Sequence, residues 1–354
     1  MELSVVQTVL LSLLILVVLF LPLTVHKVEE NLEAFLFACG LFAVTVSKMW
    51  SGHLVLTALE DPIKITVAVF VAGILFKYCN KYLQKLTHKS IKIIGLRATL
   101  FLIVFLLGAT SSFITAIIAA LILAEVVVML PLERKGRIKM VTFSCFSIGM
   151  GAVLTSIGEP LGTVVISKLS GEPFHADQNF FFLIELIGWY VLGGILFMSG
   201  MASSLRESTI KEAPGAKAAH TEDEHSVKSI VIRAAKVYLF VMALVFLGDG
   251  LKPLAMQTIS HLSAGWLYWI NSLSAVLDNA TLAAIEVTPA IDERTLKFLL
   301  MSLIISGGML IPGNIPNIIC ASKLGIKSKE WAKAALGLGA ALMIAYFIIL
   351  TAVL

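Results

Sequence analysis

Four carboxylates lie inside apolar stretches of the chain, where an ionisable side chain is costly and is therefore a candidate for function. They are Glu125, Glu159, Asp278 and Glu286. Asp278 is the strongest candidate, because the neighbouring Asn279 and Thr281 add amide and hydroxyl oxygens. Carboxylate, amide, hydroxyl and carbonyl oxygens are the ligands that hard cations prefer. Asp278 and Asn279 therefore predict a sodium site, where the carboxylate can exchange the cation for a proton.

Each carboxylate also has a structural interpretation. Asp278 can cap the helix that follows it, as Asp and Asn often do. Glu159 can be a second ion or proton ligand, or can satisfy the free backbone amides at a helix break. For Glu125 and Glu286 we favour structural pairing with other polar groups.

A second polar segment supplies hydroxyls and no acid. It contains Ser111, Ser112 and Thr115, and aligning Thr115 with Thr281 places Ser112 opposite Asp278. Hydroxyl oxygens can coordinate a cation, but they cannot carry the proton here. They can equally satisfy backbone groups at a turn.

Two further segments repeat one another without a gap. Gly158–Leu169 aligns with Gly313–Leu324, and both end in Ser-Lys-Leu. In each, glycine, proline and polar residues interrupt an apolar run, which predicts a broken membrane helix. A repeated broken helix points to the substrate site of a transporter. The candidate ligands here are Glu159, Thr163, Asn314 and Asn317. We interpret the terminal Lys168 and Lys323 as interfacial side chains beside a helix C-terminus.

The composition indicates an all-α polytopic membrane protein. Of its 354 residues, 58% are hydrophobic and 14% charged, and the mean hydropathy is +0.94. A soluble domain cannot bury that much apolar surface. The four cysteines form neither a Cys-x-x-Cys pair nor a Cys/His cluster, so we expect no metal site built from them. The basic residues form no stripe of the kind that binds nucleic acid.

Hydrophobic runs predict the elements that position the candidates. We expect membrane spans at 4–25, 32–49, 62–77, 139–168, 178–204, 229–249, 297–323 and 331–354. Two apolar runs fit re-entrant hairpins better: 98–131, broken at Gly108–Ser112, and 264–289, broken at Asp278-Asn279. Before the first of them, lysines at near-helical spacing in 78–95 predict an amphipathic interfacial helix or an ordinary cytoplasmic one.

Most of the 27 Lys and Arg residues fall in the loops 77–97, 131–140, 205–236 and 323–333. Cytoplasmic loops carry such an excess, so we expect a multi-pass protein of the cell membrane with both termini outside. The two halves then run in opposite directions. The predicted parts are N-terminal scaffold helices (1–61), a first repeat (62–204), a cytoplasmic linker (205–228) and a second repeat (229–354).

The motifs Ser274–Thr281, Ser111–Ala120, Gly151–Thr163 and Gly313–Asn317 together resemble the ion transporter superfamily. Within it, the chain resembles NhaD-type sodium/proton antiporters and related predicted cation transporters. The resemblance implies a dimerisation scaffold and an elevator-like transport domain that holds both hairpins and both broken helices. It implies ion ligands at Asp278, Asn279 and Thr281, with Ser111, Ser112 and Thr115 as first-half counterparts. The chain departs from the pattern, because its first hairpin lacks the usual Asn-Asp pair.

These observations predict a secondary active cation transporter, namely a sodium/proton antiporter that works by alternating access. The expected partners are membrane lipid, small ions and a second copy of the chain, without nucleic acid or a cofactor other than sodium as substrate or coupling ion. The alternative is a sodium-coupled symporter of a small anion such as a dicarboxylate. An intramembrane hydrolase is more remote, because Asp249 and Asp278 lack the motif of an aspartyl enzyme. We therefore expect no enzymatic activity.

Overall fold

A computed structural model gives the fold. It describes residues 3–25, 27–28, 31–206, 227–259, 263–276 and 279–354. Over these ranges the chain is helical and contains no strand. Asp278 and nearly all of the predicted linker 205–228 lie outside the described residues.

The described residues form thirteen α-helices. They are α1 (Val5–Thr24), α2 (Leu32–Ser47), α3 (Gly52–Ile114), α4 (Ala116–Val128), α5 (Arg134–Ala152), α6 (Pro160–Lys168), α7 (Phe182–Ser203), α8 (Val227–Ile259), α9 (Ala264–Ile270), α10 (Asn279–Glu286), α11 (Glu293–Gly307), α12 (Ile315–Leu324) and α13 (Ser328–Val353). A 3-10 turn, Asn271–Ala275, follows α9. Within the described residues, five helices contain a stretch long and apolar enough to cross a membrane: Val5–Pro22, Lys85–Ile114, Phe182–Ser203, Ala234–Gln257 and Ser328–Val353. The prediction of a helical membrane protein therefore agrees with the structure.

The long helix α3 corrects the predicted boundaries in the first half. Residues 62–77 and 78–95 are not separate elements, since one helix runs through both. Its interruption is Gly95, with φ 81° and ψ 164°, a conformation that glycine adopts without a steric penalty. The stretch long and apolar enough to cross a membrane extends over Lys85–Ile114, so it includes three of the lysines in 78–95. The lysines have near-helical spacing because they lie on this helix. No strong helix-stop signal occurs at residue 77, so the helix continues past the predicted end of the span.

The break predicted at Gly108–Ser112 was placed too early. The helix continues to Ile114, and the chain turns at Thr115, whose φ of 73° is unusual for a β-branched residue. Gly108 serves packing instead, because a Cβ there would overlap with the Ser147 hydroxyl on α5. The polar residues that suggested a turn therefore lie within a helix, close to a second one.

Two helix interruptions occupy equivalent places. α5 ends at Ala152 and α6 begins at Pro160, while α11 ends at Gly307 and α12 begins at Ile315. The interrupted segments, 153–159 and 308–314, are equal in length, and the offset that aligns Gly158 with Gly313 places one on the other. We name them break 1 and break 2.

The short helices after the breaks pack crosswise. α12, which follows break 2, lies against α4 of the first half, and α6, which follows break 1, lies against α10 of the second half. α5 also contacts α11 and α12. The two halves of the sequence therefore share one interior, with α4, α5, α6, α10, α11 and α12 at its centre.

The N-terminal helices join this body through α8. α2 packs along α8 over an extensive contact, and small residues allow the approach. A Cβ at Gly40 would lie 2.9 Å from the Ala243 carbonyl oxygen, and one at Gly250 would lie 2.6 Å from Ala43 Cβ. Close packing through small residues is how helices associate in lipid, where water supplies no driving force.

Candidate functional site

Break 2 meets the turn Asn271–Ala275 and the start of α10 in one small space. A Cβ at Gly307 would lie 3.0 Å from the Gly313 carbonyl oxygen, 3.6 Å from Asn279 Nδ2 and 3.7 Å from Ser274 Oγ. Only glycine at this position leaves that volume open. We call this group, together with Asn317, the second-half site.

Asn317 holds break 2 in shape. Its side chain is fully buried, and Nδ2 donates to the carbonyl oxygens of Gly307 (2.8 Å) and Leu310 (2.9 Å). The Gly307 carbonyl lies at the end of α11 and the Leu310 carbonyl lies in break 2, where the interrupted helix leaves acceptors without helical partners. The amide therefore replaces hydrogen bonds that the interrupted helix has lost.

The second-half site retains unused polar atoms. Within the described chain, Asn317 Oδ1 and Asn279 Nδ2 are buried and have no hydrogen-bond partner. Buried polar groups are rarely left so, and each exception calls for an explanation. Asn317 Oδ1, with the Gly313 and Ser274 carbonyl oxygens nearby, offers the neutral oxygens that suit a small hard cation. Asp278 directly precedes Asn279 in the sequence.

The first-half counterpart is tied down by hydrogen bonds. Ser111 Oγ lies 2.7 Å from the Gly108 carbonyl oxygen and 3.0 Å from that of Ile148, and Ser112 Oγ donates to the Gly151 carbonyl oxygen over 2.5 Å. Both hydroxyls are buried. The hydroxyl protons therefore link the end of α3 to α5. The lone pairs of the two hydroxyl oxygens remain available to coordinate a cation.

Sequence reasoning missed two parts of this first-half group. Thr155 Oγ1 donates to the Ser112 carbonyl oxygen at 2.6 Å, and the Ala116 amide donates to the Gly158 carbonyl oxygen at 2.9 Å. Thr115 itself accepts a weak hydrogen bond from the Ile118 amide at 3.4 Å. Break 1 and the α3–α4 turn are therefore one hydrogen-bonded unit. The signal available in the sequence was Thr155 within the run that precedes Gly158.

Glu159 and Asn314 begin the two short helices in the same way. Both are buried, and their backbones are extended, with φ near −155° and −157°. Asn314 Oδ1 accepts from the Ile315 amide at 2.7 Å, whereas Glu159 makes no capping bond to α6. The Asn314 side chain also crosses to the first half, since a Cβ at Gly149 would lie 2.7 Å from its Nδ2.

Two predicted ligands lie at the margin of these groups. Thr163 Oγ1 donates to the Ser156 carbonyl oxygen at 2.7 Å, so it binds the backbone of break 1. Thr281 packs against α8, where a Cβ at Gly248 would lie 2.8 Å from its hydroxyl oxygen. The structure thus brings the described candidates together as a first-half and a second-half group.

Glu125 and Lys323 form an ion pair between α4 and α12. The side chains are only 8% and 15% exposed, respectively. The expectation that Lys323 is an interfacial side chain was wrong, because the ammonium group turns inward to a carboxylate of the other half. Lys168, at the equivalent position, is exposed. The ion pair therefore distinguishes the two halves.

A second ion pair lies beyond these helices. Arg134 donates from Nε and Nη2 to the two carboxylate oxygens of Glu330, at 2.9 and 2.8 Å, and also reaches the Gly325 carbonyl oxygen. The start of α5 is thereby joined to the α12–α13 connection.

Comparison with protein families decides the affiliation of the chain. A family model described as "Protein of unknown function (DUF1646)" matches residues 7–353. The chain belongs to the DUF1646 family. The match covers both breaks and both groups of candidate ligands. A search of curated proteins finds no match.

Proposed function

We propose that this DUF1646 protein is a secondary active cation transporter of the cell membrane that exchanges sodium for protons. The observation that carries the proposal is the pair of helix interruptions at equivalent positions, 153–159 and 308–314. Polar backbone at membrane depth is tolerated only where protein or a water-filled cavity surrounds it. Paired interruptions of this kind are typical of transporter binding sites.

The crosswise packing supports a design of two inverted repeats, 62–204 and 229–354, around one site. In that design α3–α4 and α9–α10 are the arms of two re-entrant hairpins. Each short helix after a break then contacts the second hairpin arm of the other half, as α12 does with α4 and α6 with α10. Two halves in opposite orientations are the arrangement that alternating access exploits.

The second-half site is the proposed sodium site. Asn317 Oδ1, the carbonyl oxygens of break 2 and, from the sequence, Asp278 and Asn279 form a set of oxygen ligands suited to sodium. The described first-half group adds hydroxyl and carbonyl oxygens, with Glu159 at the start of α6. We propose an elevator-type movement of this body against α1 and α2, in a homodimer with both termini outside.

A second candidate is a sodium-coupled symporter of a small anion. It is favoured by the N-termini of α6 and α12, which adjoin the two breaks and attract negative charge. The hydroxyl-rich first-half group also suits an anionic oxygen. A negative Asp278 opposes this candidate unless sodium neutralises it. Hydrolysis of a substrate is a more distant possibility, because Asp249 and Asp278 lack the motif of an aspartyl enzyme.

Flux measurements in reconstituted vesicles separate these candidates. An inward sodium gradient should alkalinise the vesicle lumen through proton efflux, without any organic substrate. Sodium, lithium and potassium are compared over a pH series, and empty vesicles are the control. Sodium-dependent uptake of a labelled dicarboxylate, with no proton movement in its absence, would contradict the antiporter and support the symporter.

A further inference from the structure

Four buried polar side chains form a second cluster in the second half, which we call the Glu286 cluster. Its members are Asn271, Glu286, Ser302 and Ser306. Asn271 Nδ2 donates to Glu286 Oε2 at 3.0 Å and to Ser302 Oγ at 3.0 Å. Ser306 Oγ donates to the Asn271 carbonyl oxygen at 2.7 Å. The cluster therefore joins α10 to α11 through the turn that begins at Asn271.

The expected structural pairing of Glu286 is incomplete. The carboxyl group of Glu286, a residue only 9% exposed, bonds an uncharged amide. Among the described residues, Glu286 Oε1 and Asn271 Oδ1 have no hydrogen-bond partner. A buried carboxylate without a cationic partner is costly, and two buried acceptors without a donor add to that cost. The atoms that would satisfy both acceptors are protons or a cation.

Charged groups on the helices around α10 do not compensate Glu286. The end of α8 near Gly248 carries Asp249 and Lys252, α6 carries Lys168 after the buried Glu159, and α11 begins with Glu293, Arg294 and Lys297. Lys297 pairs with Glu293, and Arg294 lies over the Phe298 ring. None of these described groups bonds Glu286, whose only side-chain hydrogen bond comes from Asn271.

We propose that Glu286 binds and releases the proton that the transporter exchanges for sodium. This inference rests on the proposed function and assigns its proton half to a group separate from the second-half site. When Glu286 is ionised, the Asn271 amide donates to it, as the structure has it. When Glu286 takes up a proton, a half-turn of the same amide presents Oδ1 as an acceptor for the new O–H group. Only a proton is gained or lost in this step.

Two segments of the chain connect the Glu286 cluster to the second-half site. The turn Asn271–Ala275 begins in the cluster and carries Ser274 into the site. On α11, Ser306 of the Glu286 cluster directly precedes Gly307 of the second-half site. A change of hydrogen bonding around Glu286 therefore acts on the same turn and the same helix end that border the sodium site.

Infrared titration of the full-length protein in vesicles tests whether Glu286 carries a proton. The wild type should show a carboxylic-acid carbonyl band that appears and disappears with pH. Glu286→Gln should remove this band, while Glu293→Gln, an exposed change on the neighbouring helix, should keep it. Absence of a titrating band from the wild type, or its persistence in Glu286→Gln, would overturn the assignment.

A second variant keeps the carboxyl group and so guards against a folding failure of Glu286→Gln. Ser302→Ala removes a hydroxyl that bonds the Asn271 amide and should displace the midpoint of the band. An unmoved midpoint would contradict the role of the cluster.

Flux then separates this inference from the proposed function. Glu286→Gln should still exchange labelled sodium for unlabelled sodium across the vesicle, with loss of sodium-driven proton movement. Proton movement at the wild-type rate in this variant would refute the inference alone. A wild-type protein that moves no sodium would refute the proposed function, while the infrared titration still decides whether Glu286 titrates.

Discussion

Lys323 on α12 and Glu125 on α4 form a buried ion pair between residues 198 positions apart in the sequence. It joins the helix after break 2 to the helix after the Thr115 turn. Because the two elements belong to different halves, the pair helps to fix the crosswise packing on which both candidate groups depend.

Removing one member of this pair should destabilise the fold. Glu125→Gln and Lys323→Met should each lower the free energy of unfolding by roughly 3–5 kcal/mol, since the remaining charge stays buried. The double variant should recover much of that loss. Thermal unfolding in detergent measures all three, and Lys168→Met, at the exposed equivalent position, is the control. Additive losses in the double variant would contradict a coupled pair.

Asp278→Asn should abolish sodium-driven proton movement while the protein still folds. The substitution keeps an oxygen ligand and removes the negative charge that the cation site needs. Vesicle flux and size-exclusion chromatography measure the two properties side by side. Exchange at the wild-type rate would assign Asp278 to capping alone.

Asn317→Ala should reduce sodium flux at least about tenfold, a loss of about 1.4 kcal/mol or more in transition-state stabilisation. The variant loses the hydrogen bonds to the Gly307 and Leu310 carbonyls and also the Oδ1 atom, which has no partner among the described residues. Asn179→Ala, a half-buried residue whose amide bonds Glu185 and the Phe181 backbone outside the breaks, is the control for loss of amide hydrogen bonds in general. A change in sodium affinity without a change in thermal stability would show that the variant loses a sodium ligand while break 2 keeps its shape.

Gly151→Ala should destabilise the first-half group by about 1–3 kcal/mol through overpacking. Its Cβ would overlap with the Gly108 carbonyl oxygen and lie 2.6 Å from Ser111 Oγ. Gly200→Ala on α7 meets no atom within 4 Å, so it should be neutral or slightly stabilising. Equal melting temperatures for the two variants would contradict the close approach of α3 and α5.

Local signals predicted the helix interruptions more successfully than the long-range contacts. Glycine and proline beside Glu159 and Asn314 interrupt apolar runs, and a helix cannot pass such residues without losing hydrogen bonds. Gly108 carried the same signal and misled, because its small size serves contact with Ser147 rather than a turn. Glycine alone does not distinguish these uses.

Other features depended on the tertiary fold and could not be read from local patterns. Nothing near Lys323 in the sequence points to Glu125. Likewise, the Asn271–Glu286 contact joins a turn to a helix that only the fold brings together. The polar character of the second-half site was predictable from Asn279 and Asn317, but their unused hydrogen-bonding atoms emerge only from the packing.

The crosswise packing also sets the order in which the chain can mature. Glu125 leaves the ribosome 198 residues before Lys323, which corresponds to a delay of roughly 10–40 s at ordinary rates of synthesis. Throughout that interval α4 lacks the helix that covers it. The first half therefore stays incompletely packed during this interval. The last two helices, α12 and α13, complete its packing when they are synthesised. A ribosome stalled before α12 should accordingly leave a nascent chain that is open to quality-control proteases.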